Sequence, residues 1–320
     1  MYNIIYIICP PGKATGGTEL LHQLQFQLNQ MGQKAFMIYD GQYEGSGVQK
    51  AFNDKYQVKR VDTIEDSSEN LIVVPENKIK WLLRYKNIQK AIWWLSVDNY
   101  NGANKIHKSY AATIYRFFLD QYYRLFDKKY QHYVQSEYAR LYVTEDRHVP
   151  ANQVHHLSDY LNSAFIEDAK KETSTIRKDN ILYNPVKGFE TTSKLMEMLP
   201  QYNWIAIRNM TPAQICDLMK ESKLYIDFGN HPGKDRMPRE AAICGCCVIT
   251  GRRGAAANDI DVLIPSKYKF QDTDFDAISS QMDHVMKNFD TCTVDFISYR
   301  DRISNEEDSF KEEIKSCFLK

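Results

Sequence analysis

The residues whose types and spacing best suit chemistry lie in a short loop and helix start near position 235. Four basic side chains, His231, Lys234, Arg236 and Arg239, lie there within ten residues, together with the carboxylate of Glu240. Cations clustered in one loop favour a phosphate or diphosphate ligand, which arginine can bind through two parallel hydrogen bonds. Glu240 would repel a phosphate, but it can accept hydrogen bonds from the neighbouring hydroxyls of a ribose. The alternative is a solvated loop in which Glu240 only stabilises the start of its helix.

This cluster is predicted to lie between a strand and a helix of an α/β sheet. Tyr225–Phe228 alternates apolar residues with Asp227 and predicts a short strand, which Gly229 ends by permitting a tight turn. A helix is predicted from about Met237, and Cys247–Ile249 predicts the next buried strand. Ligands of open α/β sheets bind beyond the carboxyl ends of strands, where helix N-termini offer free N–H groups. The segment therefore predicts an anion-binding site.

The sequence Glu-Ala-Ala-Ile-Cys-Gly-Cys-Cys-Val-Ile, which begins at Glu240, resembles the donor-site segment of GT-B-fold glycosyltransferases. It is similar in particular to glycosyltransferase family four, whose pattern is Glu-Ala, about three residues, then Gly-x-Pro-Val-Val. The resemblance implies that Glu240 contacts the ribose of a nucleotide-sugar donor. The family has a further Glu eight positions earlier, where this chain has Pro232. His231, Lys234 and Arg236 occupy the loop instead and are its predicted donor-binding residues, which leaves the donor class open.

A second donor-side segment is predicted near the start of the C-terminal half. Asn180–Tyr183 predicts a strand, and the sequence Asn184-Pro-Val-Lys187-Gly188 leads from it into a helix that ends at about Leu199. Related enzymes carry Lys-Gly at this turn, and the resemblance implies that Lys187 binds the donor diphosphate, with Gly188 beside it. The Arg that the family usually has a few residues earlier is missing, and Asn184 stands nearby as a further predicted donor contact.

Two features of the N-terminal half are predicted to face a substrate. Gly16 and Gly17 follow the apolar stretch Asn3–Cys9 and precede a helix, an arrangement that resembles the acceptor-side Gly-Gly-x-Glu loop of GT-B enzymes. Asp98 follows the apolar stretch Ala91–Val97, where the substrate-facing groups of an α/β domain are expected. Asp98 is the candidate catalytic base if the enzyme inverts the sugar configuration, and it only orients the acceptor if the enzyme retains it. The alternative is a helix cap or turn former.

The segment from Asn104 to Tyr142 is dense in aromatic residues, and six Lys or Arg stand against two Asp between Lys105 and Lys129. This composition predicts either an amphipathic helix pair that covers the sheet, or a basic aromatic surface that docks a lipid-linked acceptor at a membrane. A peripheral membrane contact is left open on this ground.

The bulk composition limits the class of protein. A chain of 320 residues can form two domains of ordinary size, and 41 Lys or Arg against 41 Asp or Glu give no indication of a nucleic-acid partner. Seven cysteines without metal-type pairing indicate a reducing compartment, and the close trio Cys244, Cys246 and Cys247 is predicted to be part of the core. No stretch reaches the roughly 20 apolar residues of a membrane span. We expect a soluble, cytoplasmic protein.

Together the elements predict an α/β fold of two Rossmann-like domains facing across a cleft, which is the GT-B architecture. We expect an N-terminal acceptor-side domain over residues 1–160 and a C-terminal nucleotide-sugar domain over residues 161–300. A C-terminal helix over residues 301–320 is expected to pack back toward the N-terminal domain. The polar segment Tyr160–Lys178 is the predicted junction.

The resemblance implies a glycosyltransferase that moves a sugar from a nucleotide-activated donor to a saccharide or lipid-linked acceptor in surface polysaccharide or glycolipid synthesis. We expect no metal and no other cofactor, since cationic side chains and a helix N-terminus can neutralise the leaving diphosphate. The Asp-x-Asp runs at Asp259 and Asp272 do not follow an apolar strand, where a metal–diphosphate pair would be expected.

Two alternatives remain open at this point. His231-Pro232 resembles an element of transferases that use CMP-activated acidic sugars. A two-domain protein that binds a nucleotide or sugar without catalysis would need the same pocket around Lys187 and Glu240. A dehydrogenase is disfavoured, because no Gly-x-Gly-x-x-Gly sequence follows the first strand.

Overall fold

The computed structural model describes residues 2–12, 14–41, 47–105, 110–171 and 176–319, and of residues 51, 102–105, 110–113 and 116 it describes the backbone alone. Parts of two predicted segments, residues 106–109 of the basic aromatic stretch and residues 172–175 of the junction, lie outside these ranges. The chain divides into two units. Unit 1 comprises Met1–Asp159 and Asp308–Lys320, and unit 2 comprises Tyr160–Glu307.

Unit 1 is built on a six-stranded sheet in the order β2-β1-β3-β4-β5-β6, in which all neighbouring strands are parallel. The strands are β1 Ile5–Cys9, β2 Ala35–Tyr39, β3 Leu71–Pro75, β4 Gln89–Trp94, β5 Gln131–Val134 and β6 Val154–His156. The α-helices are α1 Gly16–Gln30, α2 Lys50–Tyr56, α3 Val97–Lys105, α4 Tyr110–Asp127 and α5 Glu137–Leu141. Glu76–Arg84 and Ala151–Gln153 are 3-10 helices, and Tyr142–Asp146 is a π-helix. Strands β1 and β3 are buried along their whole length, as parallel strands covered on both faces must be.

Two boundaries in unit 1 differ from those that the sequence predicts. The predicted strand Ala91–Val97 ends at Trp94, because the backbone N–H of Leu95 donates to the buried carboxylate of Glu76 at 2.9 Å. For helix α1 the sequence predicts Thr18 as the cap, but Thr15 caps the helix, and the side chains of Thr15 and Thr18 each bond the backbone N–H of the other. The sequence also predicts Ser136 as the cap of the helix that begins at Glu137, and this is confirmed, with its hydroxyl 3.1 Å from the backbone nitrogen of Ala139.

Unit 2 carries a five-stranded parallel sheet in the order β11-β10-β9-β7-β8. The strands are β7 Lys178–Tyr183, β8 Asn203–Ala206, β9 Ser222–Asp227, β10 Cys247–Gly251 and β11 Lys269–Phe270. The helices are α6 Ser163–Lys170, α7 Phe189–Met198, α8 Pro212–Lys220, α9 Arg236–Ile243, α10 Phe275–Lys287, α11 Phe289–Cys292 and α12 Ile297–Ser304. Short 3-10 helices lie at Gly254–Ala257, Ser266–Tyr268 and Thr293–Phe296. The predicted α/β class, with two parallel sheets, is confirmed.

The last helix, α13 Glu306–Phe318, begins in unit 2 and continues in unit 1. Within unit 1, Phe310 stacks on Trp93 and Phe318 packs against Tyr133, with ring centroids 6.5 and 4.9 Å apart. The buried clusters of apolar side chains lie on the faces of each sheet, and the trio of cysteines at Cys244–Cys247 belongs to the core of unit 2, as predicted. None of the described helices is both long and apolar enough to cross a membrane.

The turn between β7 and α7 requires glycine at position 188. Gly188 has φ +60° and ψ 23°, a left-handed conformation that costs other residues about 1–2 kcal/mol. A Cβ atom there would also lie 2.5 Å from the backbone carbon of Phe228. The start of α7 therefore packs directly on the loop that follows β9, and only a residue without a side chain permits this approach.

We predict that Gly188→Ala destabilises its unit by about 1–3 kcal/mol more than Gly32→Ala, because only Gly188 adds a backbone clash to the strained φ. Gly32 is a matched control, since its φ is +84° and a Cβ atom added there would have no neighbour within 4 Å. Urea unfolding followed by circular dichroism measures both free energies. Equal losses in the two variants would contradict the close packing of α7 on the β9 loop.

Candidate functional site

The candidate site lies at the carboxyl ends of β7 and β9, which are neighbours in the sheet of unit 2. Helix α7 starts directly after β7, with Gly188 as its N-cap, and α9 starts after the β9 loop, with Asp235 as its N-cap. Neither cap residue bonds the first helical N–H groups with a side chain. Two helix N-termini therefore offer N–H groups at one edge of the sheet, and each carries about half a positive charge.

Lys187 joins these two helix starts through an ion pair between its Nζ atom and Oδ2 of Asp235. The pair depends on Gly229, since a Cβ atom at that position would lie 2.3 Å from Cβ of Lys187. The side chains are partly accessible, with 32% of Lys187 and 20% of Asp235 exposed. A ligand can therefore reach both of them.

His231 is fully buried between two carboxylates. Its Nδ1 atom lies 3.2 Å from Oδ2 of Asp235, and its Nε2 atom lies 3.7 Å from Oδ1 of Asp227. Asp227 is itself fixed, because it accepts hydrogen bonds from the hydroxyl of Tyr225 at 3.0 Å and from the N–H of Gly229 at 3.1 Å. The two carboxylates thus hold the imidazole from both sides.

These carboxylates also set the protonation of His231. Burial acts to lower the pKa of His231, but the contacts with Asp235 and Asp227 outweigh it and the pKa is raised from the ordinary 6.5. Burial acts to raise the pKa of Asp235, but His231 and Lys187 outweigh it and the pKa lies below its usual value. The two carboxylates therefore favour the protonated form of His231, and His231 and Lys187 together favour the ionised form of Asp235.

The predicted ribose contact, Glu240, is paired with Arg236 one helical turn earlier. The Nε and Nη2 atoms of Arg236 lie 3.2 and 2.9 Å from Oε1 of Glu240. Arg236 is 36% exposed, whereas Glu240 is 8% exposed at its side chain. The carboxylate of Glu240 is therefore fixed by Arg236 on the first turns of α9, and the Arg236 guanidinium lies on the solvent side.

Two of the basic residues near this loop point away from it into a buried cluster. Lys234 and Arg239 contact opposite oxygens of Glu306, at 3.1 and 2.7 Å, and all three side chains are almost fully buried. Arg239 also donates to the backbone carbonyls of Lys234 and Asp235. In this conformation the predicted donor contact Lys234 serves to fix the shape of the loop.

The remaining predicted site residues lie in turns and helix starts. The Oδ1 atom of Asn184 accepts a hydrogen bond from the N–H of Val186 at 3.0 Å and shapes the turn before α7. In unit 1, Asp98 is in the first turn of α3 and accepts a hydrogen bond from the hydroxyl of Tyr138 at 2.7 Å. Gly16 and Gly17 are the first two residues of α1.

Asp227, His231 and Asp235 could in geometry hold a metal ion, since one ligand atom from each lies within 4.8 Å of the others. The charges around these three residues favour a cluster without a metal ion. Lys187 already contacts Asp235, and the carboxylates on either side of His231 favour its protonated form, which has no free nitrogen to bind a metal. A divalent ion would have to displace both positive charges, so the cluster is better suited to bind an anion beside Lys187.

Sequence reasoning missed three acidic residues of the site. Asp227 and Asp235 precede and follow His231 by four positions, a spacing that places them near one another once the strand, loop and helix form. Glu306 lies 67 residues from Arg239 along the chain. The local signal for such a partner was an excess of basic over acidic residues between His231 and Glu240.

No family model matches this sequence, and no curated protein matches it. Similar solved structures include a glycosyltransferase from Rickettsia africae, at 14% identity and TM-score 0.66, with 98% of this chain and 99% of that chain covered. The fold is that of the GT-B glycosyltransferases. Sucrose-phosphate synthase from Thermosynechococcus elongatus has 14% identity, TM-score 0.68 and coverage of 99% and 98%. Anabaena HepE in complex with UDP-glucose has 10% identity, TM-score 0.63 and coverage of 99% of both chains. At these identities the likeness establishes the architecture alone.

We predict that His231 stabilises the folded chain less at pH 8 than at pH 6. A group whose folded pKa is raised contributes fully below its unfolded value, near 6.5, and loses that contribution as the pH rises through the folded value. The destabilisation caused by His231→Asn, measured as a shift in thermal midpoint, should therefore be larger at pH 6 than at pH 8.

The comparison of variant with wild type at each pH removes other titrating groups from this test. His22 and His132 in unit 1 have lowered pKa values, chiefly because of burial, and they drive stability in the opposite direction. Their effect is the same in both proteins and cancels. A midpoint difference that stays constant from pH 6 to pH 8 would show that His231 is not held as a cation.

Proposed function

We propose that the chain is a glycosyltransferase that moves a sugar from a nucleotide-activated donor to a saccharide or lipid-linked acceptor. The observation that carries the proposal is Lys187, placed between two helix N-termini at the carboxyl ends of neighbouring strands. This arrangement suits a diphosphate. The proposal is also supported by the architecture, since similar structures with the same fold are described as glycosyltransferases and several contain UDP or UDP-glucose.

The donor would bind by exchanging internal ion pairs for contacts with the nucleotide. Lys187 would leave Asp235 for a phosphate oxygen, and the N-termini of α7 and α9 would donate to the diphosphate. Glu240 would accept from the ribose hydroxyls while Arg236 moves outward or binds a phosphate. Gly188 permits close approach of the backbone, and Asn184 shapes the turn that presents Lys187.

The leaving diphosphate would be stabilised by fixed charges in unit 2. Lys187 and the two helix N-termini develop no new charge during reaction, and they are in place before the bond between the sugar and the phosphate breaks. His231 and Asp227 would hold Asp235 where it can receive and return the Lys187 ammonium. On this account the reaction requires no metal ion, and we propose a role in the synthesis of a surface polysaccharide or glycolipid.

The alternatives fit the site less well. Transfer from a CMP-activated acidic sugar was suggested by His231-Pro232, but the imidazole is fully buried against two carboxylates and is not placed to contact a donor. A nucleotide-binding protein without catalysis would share the Lys187 and Glu240 contacts. Turnover separates this alternative from a transferase, since such a protein would bind the donor and release no sugar to any acceptor.

We predict that Lys187→Ala and Glu240→Ala each weaken UDP binding by about 1.5–3 kcal/mol, or roughly 10- to 150-fold, because each removes a charge-assisted contact. Titration calorimetry measures the affinity. Lys178→Ala is the control, since Lys178 forms an exposed ion pair with Glu221 in the same unit and should leave the affinity unchanged.

The same titration with EDTA tests the independence from metal. We expect the affinity for UDP to be equal with and without the chelator. Loss of binding in EDTA would assign the cluster of Asp227, His231 and Asp235 to a metal ion instead. Wild-type affinity in both the Lys187 and the Glu240 variants would place the nucleotide elsewhere.

For the acceptor side, if the enzyme inverts the sugar configuration, we predict that Asp98→Asn lowers sugar transfer by roughly 10²–10⁴ and leaves UDP affinity unchanged, as expected for loss of a general base. Transfer is measured with the bound donor and a panel of saccharide and lipid-linked acceptors. Tyr138→Phe is the matched variant, because it removes the hydrogen bond to Asp98 without removing the carboxylate. Equal losses in both variants would mean that Asp98 only anchors Tyr138, and unaltered transfer in Asp98→Asn would exclude it from the chemistry.

A further inference from the structure

Helix α4 of unit 1 presents apolar side chains to solvent. Six large apolar residues on this helix are between 40 and 72% exposed: Ile114, Tyr115, Phe117, Phe118, Tyr122 and Leu125. Three of them, Phe118, Tyr122 and Leu125, follow the i, i+4, i+7 spacing of a single helix face. We call these six residues the α4 aromatic face. Soluble proteins seldom leave so large a contiguous apolar surface without a partner.

The acidic residues of α4 point the other way. Asp127 is buried and accepts a hydrogen bond from Arg147 at 2.8 Å, and Asp120 is paired with Arg124 and with Arg147 at 2.9 and 2.8 Å. The Arg147 guanidinium lies over the ring of Trp94 in the core. This helix therefore has its acidic groups inside and its apolar groups outside, which is the reverse of a helix that faces only water.

The surroundings of this face are strongly basic. Residues 77–97 contain five Lys or Arg and no Asp or Glu, and residues 105–129 contain six Lys or Arg against two Asp, although the whole chain has equal numbers of both signs. The two Asp are Asp120 and Asp127, which arginines already neutralise. Lys128 and Lys129 are exposed at the end of α4, and Lys80 lines the same cavity as Tyr115. The sequence around the apolar face therefore carries an excess of positive charge, with eleven Lys or Arg against three Asp over residues 77–129.

We propose that the α4 aromatic face docks on the surface of a membrane rich in anionic lipids. Aromatic side chains suit the headgroup region, where an apolar ring and a hydroxyl can both be satisfied, and lysines near the surface gain from the negative potential. The charge favours this occupant over a second copy of the chain, because two such basic faces would repel one another. The contact lies in the interface plane, and none of the described helices would span the bilayer.

The test is flotation of the full chain with vesicles of equal parts phosphatidylglycerol and phosphatidylcholine, compared with vesicles of phosphatidylcholine alone. We expect binding to the anionic vesicles, weaker binding in high salt, and little binding to the neutral ones. Phe118→Ser with Leu125→Ser should lower the partition constant by about tenfold or more, and Lys128→Glu with Lys129→Glu should lower it on anionic vesicles.

The control is Val294→Ser with Ile297→Ser, which replaces two apolar residues of unit 2 that are 57 and 50% exposed and should leave the partition constant unchanged. Circular dichroism and thermal unfolding of the same samples show that each variant is folded, which keeps this test separate from that of the proposed function. Equal vesicle binding by wild type and the Phe118 and Leu125 variant would overturn the proposal. So would a concentration-dependent dimer in light scattering that this variant abolishes, since the face would then bind a second copy.

Discussion

The candidate site depends on one carboxylate, that of Asp235, which binds Lys187 from the β7 turn and His231 from the β9 loop. Two cations from different loops converge on it, and it caps α9 at the same time without using its side chain for the helix amides. Removing such a carboxylate would leave two positive charges close together with only Asp227 to balance them. The closeness itself depends on Gly188 and Gly229, whose missing side chains let the two loops meet.

A second buried cluster keeps this loop in place. Glu306 forms ion pairs with both Lys234 and Arg239. It is also the first residue of α13, the helix that continues into unit 1. Buried charges are costly unless paired, so losing any one of the three would strand the others. The loop between β9 and α9 is therefore fixed by two separate charge clusters. One is sealed from solvent, and the other is open enough to exchange a carboxylate for a phosphate.

The local sequence pattern was sufficient to predict most strands of the two sheets and the Lys187–Gly188 turn. Ala35–Tyr39 and Leu71–Pro75 could be predicted residue for residue, because continuous apolar runs between polar loops leave little choice. The end of β4 could not be predicted from sequence, because a hydrogen bond from the backbone N–H of Leu95 to Glu76 sets it rather than hydropathy.

Within the site, the basic loop and the helix that carries Glu240 could be predicted from sequence, but not which basic side chains stay accessible to solvent. That choice depends on Glu306, far along the chain, which takes Lys234 and Arg239 out of solvent. For α4 the sequence left open whether its aromatic residues cover the sheet or face outward. Tertiary packing decided it, since Arg147 draws Asp120 and Asp127 inward and thereby turns the aromatic face to solvent.

A crystal structure of the chain with UDP bound tests the central claim most directly. The account predicts the diphosphate at the N-termini of α7 and α9, with Nζ of Lys187 moved from Asp235 to a phosphate oxygen and the ribose hydroxyls at Glu240. A nucleotide bound in unit 1, or one bound in unit 2 while Lys187 keeps Asp235 as its only partner, would contradict it.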